Sequence, residues 1–260
     1  MITGAGVDAR ELEQRVKDVY QAVAERPHES YHFEMGRGLA ERLGYPRELL
    51  DRVPEQALDS FAGVGYFLDL GEPIEGDHVL DLGSGSGTDT FAAAALVGGA
   101  GHVTGVDMTD AQLAKAEDLR VASGLANVEF VRSYIEELPL SDASVNLVIS
   151  NGVVNLSADK AAVFREAARV LAPGGRLALA DIVSERPLPE AIVCNAELWA
   201  ACVGGASQID DYLSLIEEAG LHVETVRDNT TYAFLSGSAQ SATDAYGIRS
   251  VSLLAVKPIS

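Results

Sequence analysis

The 260-residue chain has few cysteines, few lysines and no long apolar run. Its two cysteines, Cys194 and Cys202, do not make a disulfide framework. No apolar run approaches the ~18 residues needed to span a bilayer. The first residues also lack the basic and apolar segments of an export signal. These absences exclude a disulfide-stabilised secreted domain and predict a cytoplasmic protein.

Positive charge is also scarce. The chain has 19 lysines and arginines against 39 acidic residues, which gives a formal net charge of −20. Such a surface repels the phosphates of nucleic acids and anionic lipids. We therefore expect neither a nucleic acid nor a membrane as a partner. The hydrophobic fraction of 47% is ordinary for a soluble globular enzyme.

The amino-terminal third has the apolar spacing of helices and no strand pattern. We predict helices over residues 8–26, 34–44 and 46–58, with Pro27 ending the first. From residue 77 onward, apolar strands alternate with helical segments. Such alternation predicts an α/β fold with a doubly wound, mostly parallel sheet that is covered by helices on both faces.

The alternating part divides into strands, helices and an interruption. The predicted strands are 78–82, 102–107, 128–132, 145–150 and 176–183. The predicted helices between them are 89–97, 110–123 with Thr109 as N-cap, and 158–171 with Ser157 as N-cap. Residues 184–206 are predicted to be an insertion with a helix through Trp199. The remaining elements are a helix over 207–220 and strands over 221–227 and 248–257.

The most informative motif is Val-Leu-Asp-Leu-Gly-Ser-Gly-Ser-Gly at residues 79–87, where a buried strand enters a loop with almost no side chains. A backbone this bare lets a ligand approach closely. A nucleoside at the carboxyl end of the first strand fits this position, with Asp107 at the end of the second strand accepting both ribose hydroxyls. Dinucleotide enzymes use the spacing G-x-G-x-x-G, so an NAD-dependent oxidoreductase is one alternative.

Two further segments carry a family resemblance. Residues 127–140 read Asn-Val-Glu-Phe-Val-Arg-Ser-Tyr-Ile-Glu-Glu-Leu-Pro-Leu, and the fifth strand follows Arg-Val-Leu-Ala-Pro-Gly-Gly-Arg. Together with the glycine loop, residues 76–183 strongly resemble the class I S-adenosylmethionine-dependent methyltransferases. The resemblance implies a Rossmann-like sheet, S-adenosylmethionine as cofactor with S-adenosylhomocysteine as product, and in-line methyl transfer to a small-molecule acceptor.

The resemblance also implies roles for single residues. Asp81 and the glycine loop would cradle the methionine part of the cofactor. Asp107 would hold the ribose, although capping the next helix is an alternative role for it. Met108 would lie against the adenine, with Tyr134 and Ile135 on its other side. The implied cofactor-binding residues are Asp81, Gly83, Ser84, Gly85, Gly87, Asp107, Met108, Tyr134, Ile135 and Asn151.

A narrower resemblance covers roughly residues 16–226. The segments Ile-Ser-Asn-Gly-Val-Val-Asn-Leu-Ser-Ala-Asp-Lys at 149–160 and Leu-Trp-Ala-Ala-Cys-Val-Gly-Gly-Ala at 198–206 are similar to the arsenite methyltransferase group. That group uses three cysteines, because As(III) needs soft thiolate ligands. Cys202 matches one of them, whereas Gly152 and Val64 occupy the other two positions. We therefore predict a different substrate, with arsenite methylation through Cys202 as the alternative.

The acceptor side is expected to lie under the amino-terminal helices and the insertion. If the acceptor is a thiol, an amine or a carbon acid, a general base takes its proton. The candidate catalytic residues are Tyr20, His28 and His32, for which packing within the lid is the alternative role. The predicted substrate-pocket residues are Tyr31, Asn155, Trp199 and Cys202.

Two other function classes stay open at this point. His28-Glu-Ser-Tyr-His32 matches the H-E-x-x-H pattern of zinc hydrolases, but Pro27 would place His28 at the very start of any helix. The chain is predicted to hold no metal. A non-catalytic protein that binds S-adenosylmethionine is the other alternative.

The predicted domain organisation has four parts. An amino-terminal helical lid occupies residues 1–70, and the S-adenosylmethionine-binding core occupies 71–183. A substrate-covering insertion follows at 184–220, and carboxy-terminal strands at 221–260 complete the sheet. The sequence is compatible with a homodimer.

Overall fold

A central sheet runs through the computed structural model, which describes residues 9–31, 33–193, 199, 203–235 and 237–259. The strand order is β3-β2-β1-β4-β5-β8-β7, with a short β6 beside β5. Strands β1 to β6 pair in parallel, whereas β8 runs antiparallel to both β5 and β7. The predicted α/β class with a doubly wound, mostly parallel sheet is confirmed. The strands are β1 His78–Leu82, β2 His102–Asp107, β3 Val128–Arg132, β4 Val145–Asn151, β5 Leu171–Ser184, β6 Ser207–Gln208, β7 His222–Asp228 and β8 Arg249–Val256.

Helices cover both faces of the sheet. Five described helices precede β1, where the sequence predicts three: the helix predicted over 46–58 is two helices, and the one at Leu68–Gly71 was not predicted. No helix among the described residues has the length and apolar character needed to cross a membrane. The helices are α1 Ala9–Glu25, α2 Arg37–Leu43, α3 Arg47–Leu50, α4 Glu55–Asp59, α5 Leu68–Gly71, α6 Thr88–Val97, α7 Asp110–Ala122, α8 Lys160–Val170, α9 Glu190–Val193, α10 Ile209–Glu218 and α11 Gly237–Tyr246.

The core has two halves, one on each face of the sheet. Alternate strand residues such as Val79 and Leu80 point into opposite halves, as the two-residue period of a strand requires. One half packs the sheet against α2 to α6, and the other packs it against α8 and α10. Because both faces are covered, the central strands are apolar throughout, and this explains why the sequence marks them so clearly.

Several predicted elements need correction. The strand predicted over 176–183 begins at Leu171 and ends at Ser184. The helix predicted over 158–171 begins at Lys160, because the carboxylate of Asp159 accepts the N–H of Ala162 at 2.9 Å and is the N-cap in place of Ser157. The helix predicted over 46–58 is two short helices, since Pro54 has no N–H to continue a helix. The helix predicted from residue 207 begins at Ile209, because residues 207 and 208 pair with the end of β5.

The chain reverses its winding between β1 and β4, which are neighbours in the sheet. From β1 the strand order runs outward to β2 and β3 on one side, and from β4 to β5 on the other. The carboxyl ends of β1 and β4 therefore diverge into separate loops. This is the place where open α/β sheets bind their ligands.

Candidate active site

A cavity of about 470 Å³ opens at the carboxyl ends of β1, β2 and β4. Its wall includes the loop after β1, the start of α7 after β2, and the residues that follow β3 and β4. Helix α1 and the loop at residues 60–63 form the remaining side. Its volume lies in the range of about 300–1,000 Å³ that is typical of small-ligand sites.

The glycines of the loop after β1 have distinct roles. Gly83, Gly85 and Gly87 have φ angles of 69°, 53° and 94°, a region that side chains disfavour. A Cβ at Gly83 would lie 2.4 Å from Cγ1 of Val153, whereas one at Gly85 would have no neighbour closer than 3.7 Å. Gly85 therefore keeps space open beside the cavity. Gly87 does not line the cavity, and its added Cβ would instead meet the rings of Phe130 and Phe91 at 2.8 Å.

Asp107 ends β2 and lies on the cavity wall. Its carboxylate accepts the N–H of Gly85 at 3.0 Å and the N–H of Thr109 at 2.8 Å, so it links the glycine loop to the start of α7. Burial raises the pKa of this carboxyl. Thr109 makes no side-chain capping bond at the start of α7. Asp107 thus accepts two backbone N–H groups and also lines the cavity.

Two further buried acids lie beside the glycine loop. Asp81 accepts a hydrogen bond from Oγ1 of Thr90 at 2.6 Å, and burial together with the nearby Asp89 raises its pKa well above the ordinary value. The Asp89 carboxylate accepts from the hydroxyl of Tyr45 and, at 3.0 Å, from the amide of Asn151. Burial raises the pKa of Asp89 to about 6. Asp89 was not predicted, although an acid in the first turn of an otherwise apolar helix is a detectable signal.

Asn151, at the end of β4, ties the cavity wall together. Its Oδ1 accepts the N–H of Val64 at 2.7 Å, and its Nδ2 donates to the carbonyl oxygen of Gly65 at 3.1 Å as well as to Asp89. The side chain thus fixes the loop around residue 64 against the sheet. Asn151 lines the cavity, and its predicted role in binding the cofactor stays a prediction.

The three residues that are predicted to contact the adenine lie on the cavity wall. Met108, Tyr134 and Ile135 all line the cavity, and Tyr134 is 45% exposed. The hydroxyl of Tyr134 donates to Glu13 at 2.7 Å and accepts from Nζ of Lys17 at 2.8 Å. These two residues belong to α1, so the helix is attached to the far side of the cavity. We call Glu13, Lys17 and Tyr134 the α1 clasp.

Helix α1 is also held along its carboxy-terminal half. The side-chain amide of Gln112 donates to the carbonyl oxygen of Tyr20 at 2.7 Å, and Ser86 of the glycine loop donates to the same Gln112 side chain. Tyr20 lines the cavity and stacks on Phe33 with 6.1 Å between ring centroids. Of the three candidate catalytic residues, Tyr20 is therefore the one that the described part of the structure brings to the cavity.

The other amino-terminal candidates have different positions. His28 is exposed on a turn and does not line the cavity. Tyr31 stacks on Phe33 outside the cavity wall, and His32 lies outside the described residues. Residues 26–31 form turns rather than a helix, so the H-E-x-x-H pattern lacks the helical geometry that zinc proteases use. Within the described ranges, no group of three metal-binding side chains is found.

None of the predicted acceptor residues that the structure describes lines the cavity. Asn155 is fully buried, and its side-chain amide donates to the carboxylate of Asp181 at 2.6 Å. Trp199 is buried and donates through its ring nitrogen to the carbonyl of Val193. Cys202, like Cys194, lies outside the described residues. Asn155 therefore belongs to a buried polar network with Asp181 and Tyr212 that the sequence did not indicate.

The cavity residues fit S-adenosylmethionine. The cofactor carries a sulfonium and an ammonium group, and buried carboxylates on the wall match this positive charge. The glycine loop provides the close approach that a nucleoside needs. The buried hydroxyl of Ser84, on the same wall, has no hydrogen-bond partner in the described structure and is placed to bond a ligand.

Comparison with known proteins gives a consistent result. Residues 74–220 match the methyltransferase domain family. The arsenite methyltransferase of Halobacterium salinarum is 42% identical over 198 residues, which cover 76% of this chain and 50% of that protein. The human arsenite methyltransferase is 39% identical, with 67% and 48% covered. The chain thus spans about half the length of the curated relatives it matches.

Solved structures support the same fold. An arsenic(III) S-adenosylmethionine methyltransferase from Chlamydomonas reinhardtii is 36% identical, with a TM-score of 0.68 over 82% of this chain and 72% of that chain. A geranyl diphosphate methyltransferase solved with S-adenosylmethionine has a TM-score of 0.66 at 20% identity, over 88% of this chain and all of that chain, and so shows the fold alone. S-adenosylmethionine is the cofactor of this domain, and the chain belongs to the class I S-adenosylmethionine-dependent methyltransferases.

Proposed function

We propose that this chain transfers the methyl group of S-adenosylmethionine to a small-molecule acceptor other than arsenite. One observation carries the proposal: the glycine loop, Asp107 and the buried acids converge on a single cavity at the point where the sheet reverses its winding. Family membership supports the reaction type.

The residues would act by binding and orientation. When bound, the cofactor supplies an electrophilic methyl group on a sulfonium. The chain's task is to align the acceptor with that methyl and to exclude water. Asp107 would hold the ribose hydroxyls, and the carboxylates of Asp81 and Asp89 would balance the positive charge. The α1 clasp would close the open side of the cavity.

The case against arsenite rests on two positions. By resemblance, Val64 and Gly152 stand where arsenite methyltransferases have cysteines. A Cβ on Gly152 would lie 3.2 Å from Cγ1 of Val64, so the two positions are adjacent in space. Neither residue supplies a thiolate, and a single thiolate at Cys202 cannot give three-coordinate As(III).

Arsenite is nevertheless the second candidate acceptor, because relatives of 42% and 39% identity are arsenite methyltransferases. The distinguishing experiment supplies labelled S-adenosylmethionine with arsenite and a thiol reductant, and in parallel with a metabolite panel. We expect S-adenosylhomocysteine to form with one or more panel compounds and no methylated arsenic above a no-enzyme control. Methylated arsenic at or above the panel turnover would contradict the proposal.

The same assay separates an enzyme from a protein that only binds the cofactor, because such a protein would form no S-adenosylhomocysteine with any acceptor.

The cytoplasmic location and the homodimer stay predictions from the sequence. Sedimentation of the purified chain tests the homodimer.

A further inference from the structure

A buried hydroxyl group of the amino-terminal third reaches the wall of the cavity from behind. Tyr45 follows α2, is 3% exposed and does not itself line the cavity. Its hydroxyl donates to Oδ1 of Asp89, and its oxygen lies 3.0 Å from Nδ2 of Asn151. The same nitrogen of Asn151 donates to Oδ2 of Asp89 at 3.0 Å. The three side chains thus close a triangle, in which Asp89 and Asn151 line the cavity.

Aromatic packing holds the Tyr45 hydroxyl in this place. The Tyr45 ring meets the ring of Phe61 edge-on, with 5.3 Å between centroids, and lies 4.7 Å from the ring centroid of Tyr66. Because the ring is buried between these neighbours, its hydroxyl is aimed at Asp89 and not at solvent. Each carboxylate oxygen of Asp89 therefore accepts from a fixed side-chain donor, and the orientation of the carboxylate is defined by both bonds.

Asp89 depends on these donors for its charge. Burial raises the pKa of Asp89 to about 6, while the bonds from Tyr45 and Asn151 favour the ionised form. The other titratable groups that interact with it in the described structure are Asp81 and Tyr66. Among the described residues that line the cavity there is no lysine, arginine or histidine. Hydrogen-bond donors, and not a cation on the wall, therefore stabilise this anion before a ligand binds.

Tyr45 remains a donor while Asp89 titrates. Burial and the nearby Asp89 raise the pKa of the Tyr45 hydroxyl well above its ordinary value. The hydroxyl therefore keeps its proton throughout the range in which Asp89 gains or loses one. Within the triangle, only the carboxylate changes its protonation near pH 6.

We propose that Tyr45 is a positioning residue that orients the carboxylate of Asp89 and favours its ionised form toward the cationic end of S-adenosylmethionine. This inference rests on the proposed function, in which Asp89 balances the positive charge of the cofactor. Tyr45 acts through Asp89, because its own side chain does not line the cavity. Without the hydroxyl, Asp89 would bind a proton more tightly, and the cofactor would have to displace that proton.

The test measures S-adenosylmethionine affinity against pH in the wild type and in Tyr45→Phe, which keeps the ring and removes the hydroxyl. The ratio of the two affinities at each pH cancels the titration of the ligand itself. Loss of one hydrogen bond to a charged group should raise the pKa of Asp89 by about one unit. We therefore expect binding to weaken about eightfold at pH 5.5 and about threefold at pH 6.5, with almost no loss at pH 8.5. An equal loss at every pH, or no loss at pH 5.5, overturns the inference.

Tyr212→Phe is the matched control. Tyr212 is fully buried, and its hydroxyl donates at 2.7 Å to Asp181, a buried acid whose pKa burial also raises to about 6. Neither residue lines the cavity. Any change of affinity in Tyr212→Phe should therefore be the same at every pH. A loss with the pH dependence of Tyr45→Phe would show that a missing buried hydroxyl acts through general stability.

A double variant assigns the effect to Asp89. In the Asp89→Asn background the side chain no longer titrates, so adding Tyr45→Phe should change the affinity by a factor that does not vary with pH. A factor that still rises toward low pH would place the effect on another acid, such as Asp81, and contradict the proposal.

A measurement on the wild type keeps the inference testable if Tyr45→Phe does not fold. With carbon-13 in the tyrosine rings, the NMR signal of Tyr45 Cζ should titrate near pH 6 in the free protein and stay constant over this range with S-adenosylmethionine bound. A signal that does not change between pH 5 and pH 8 in the free protein overturns the inference.

The two levels of the proposal fail differently. If the wild type binds S-adenosylmethionine and transfers its methyl group, but the affinity ratio for Tyr45→Phe is constant with pH, only the role of Tyr45 is wrong. If the wild type binds no S-adenosylmethionine, or binds it and methylates no acceptor, the proposed function itself is wrong.

Discussion

At the scale of single residues, two glycines of the same loop should respond differently to one added methyl group. An alanine at Gly85 would project into open space beside the cavity, whereas one at Gly87 would collide with two phenylalanine rings. We predict that Gly85→Ala costs about 1 kcal/mol of unfolding free energy, from its positive φ, and lowers S-adenosylmethionine affinity at least tenfold. Urea denaturation and calorimetry measure the two effects.

Gly87→Ala is the matched comparison. Overpacking against Phe91 and Phe130, added to the positive φ, should cost about 2–4 kcal/mol of unfolding free energy. The fraction that stays folded should keep a larger share of its cofactor affinity than Gly85→Ala does. If Gly85→Ala were the more destabilising of the two variants, the assignment of the loop glycines would be wrong.

Asp89 provides a prediction on pH. Burial raises its pKa to about 6, so the free protein takes up a proton there as the pH falls below 6. A bound cation favours the ionised form and lowers this pKa. Binding of S-adenosylmethionine therefore releases a proton near pH 6, and its affinity should rise roughly fivefold to tenfold between pH 5 and pH 7.

Calorimetry in buffers of different ionisation enthalpy measures both the affinity and the released proton. Asp89→Asn should reduce the pH dependence, whereas Asp211→Asn, at an exposed site on α10, should retain it. An affinity that stays constant or falls as the pH rises would show that these buried acids do not face the cation.

At the scale of elements, the α1 clasp predicts how the helix controls cofactor release. Lys17 donates to Glu13 within α1 and to Tyr134 on the far side of the cavity. Exposed ion pairs contribute about 0.2–1 kcal/mol. We therefore predict that Lys17→Ala speeds dissociation of S-adenosylhomocysteine about twofold to fivefold, as measured by stopped-flow competition.

The neighbouring pair of Arg26 and Glu29 offers a control, because it is exposed and lies outside the cavity wall. Glu29→Ala should leave the dissociation rate unchanged. If both variants speed release equally, the effect belongs to the general stability of the amino-terminal region and not to the clasp.

The central strands could be predicted closely from sequence. Three of the five predicted core strands have the observed limits, because strands buried on both faces are continuously apolar. Helix ends were harder to predict. Ser157 and Asp159 are both good N-cap residues; Asp159 caps the helix, whereas the hydroxyl of Ser157 donates to Glu136, which is distant in sequence.

The site could be predicted in part. The glycine loop and Asp107 have local signatures, and nine of the ten predicted cofactor residues line the cavity, with Gly87 the exception. The acceptor side has no such signature. The sequence predicts Asn155 in the substrate pocket, but it is buried against Asp181 of β5, a contact that only the folded sheet creates.

At the scale of the whole molecule, the net charge of −20 should make stability depend on salt. Self-repulsion between exposed acids destabilises the compact state, and salt screens it over a Debye length of about 10 Å at 0.1 M and about 3 Å at 1 M. We predict that the melting temperature rises by several degrees as sodium chloride increases over this range. A melting temperature that falls with salt would mean that ion pairs outweigh the self-repulsion.

One cavity that holds one cofactor is the central feature of this protein, and calorimetric titration with S-adenosylmethionine tests it directly. We predict saturable binding of one molecule per chain. In Asp107→Ala the affinity should fall at least about 100-fold, because the ribose hydroxyls lose a charged acceptor and the glycine loop loses its anchor. Binding of NAD in place of S-adenosylmethionine, or an unchanged affinity in Asp107→Ala, would contradict the assignment.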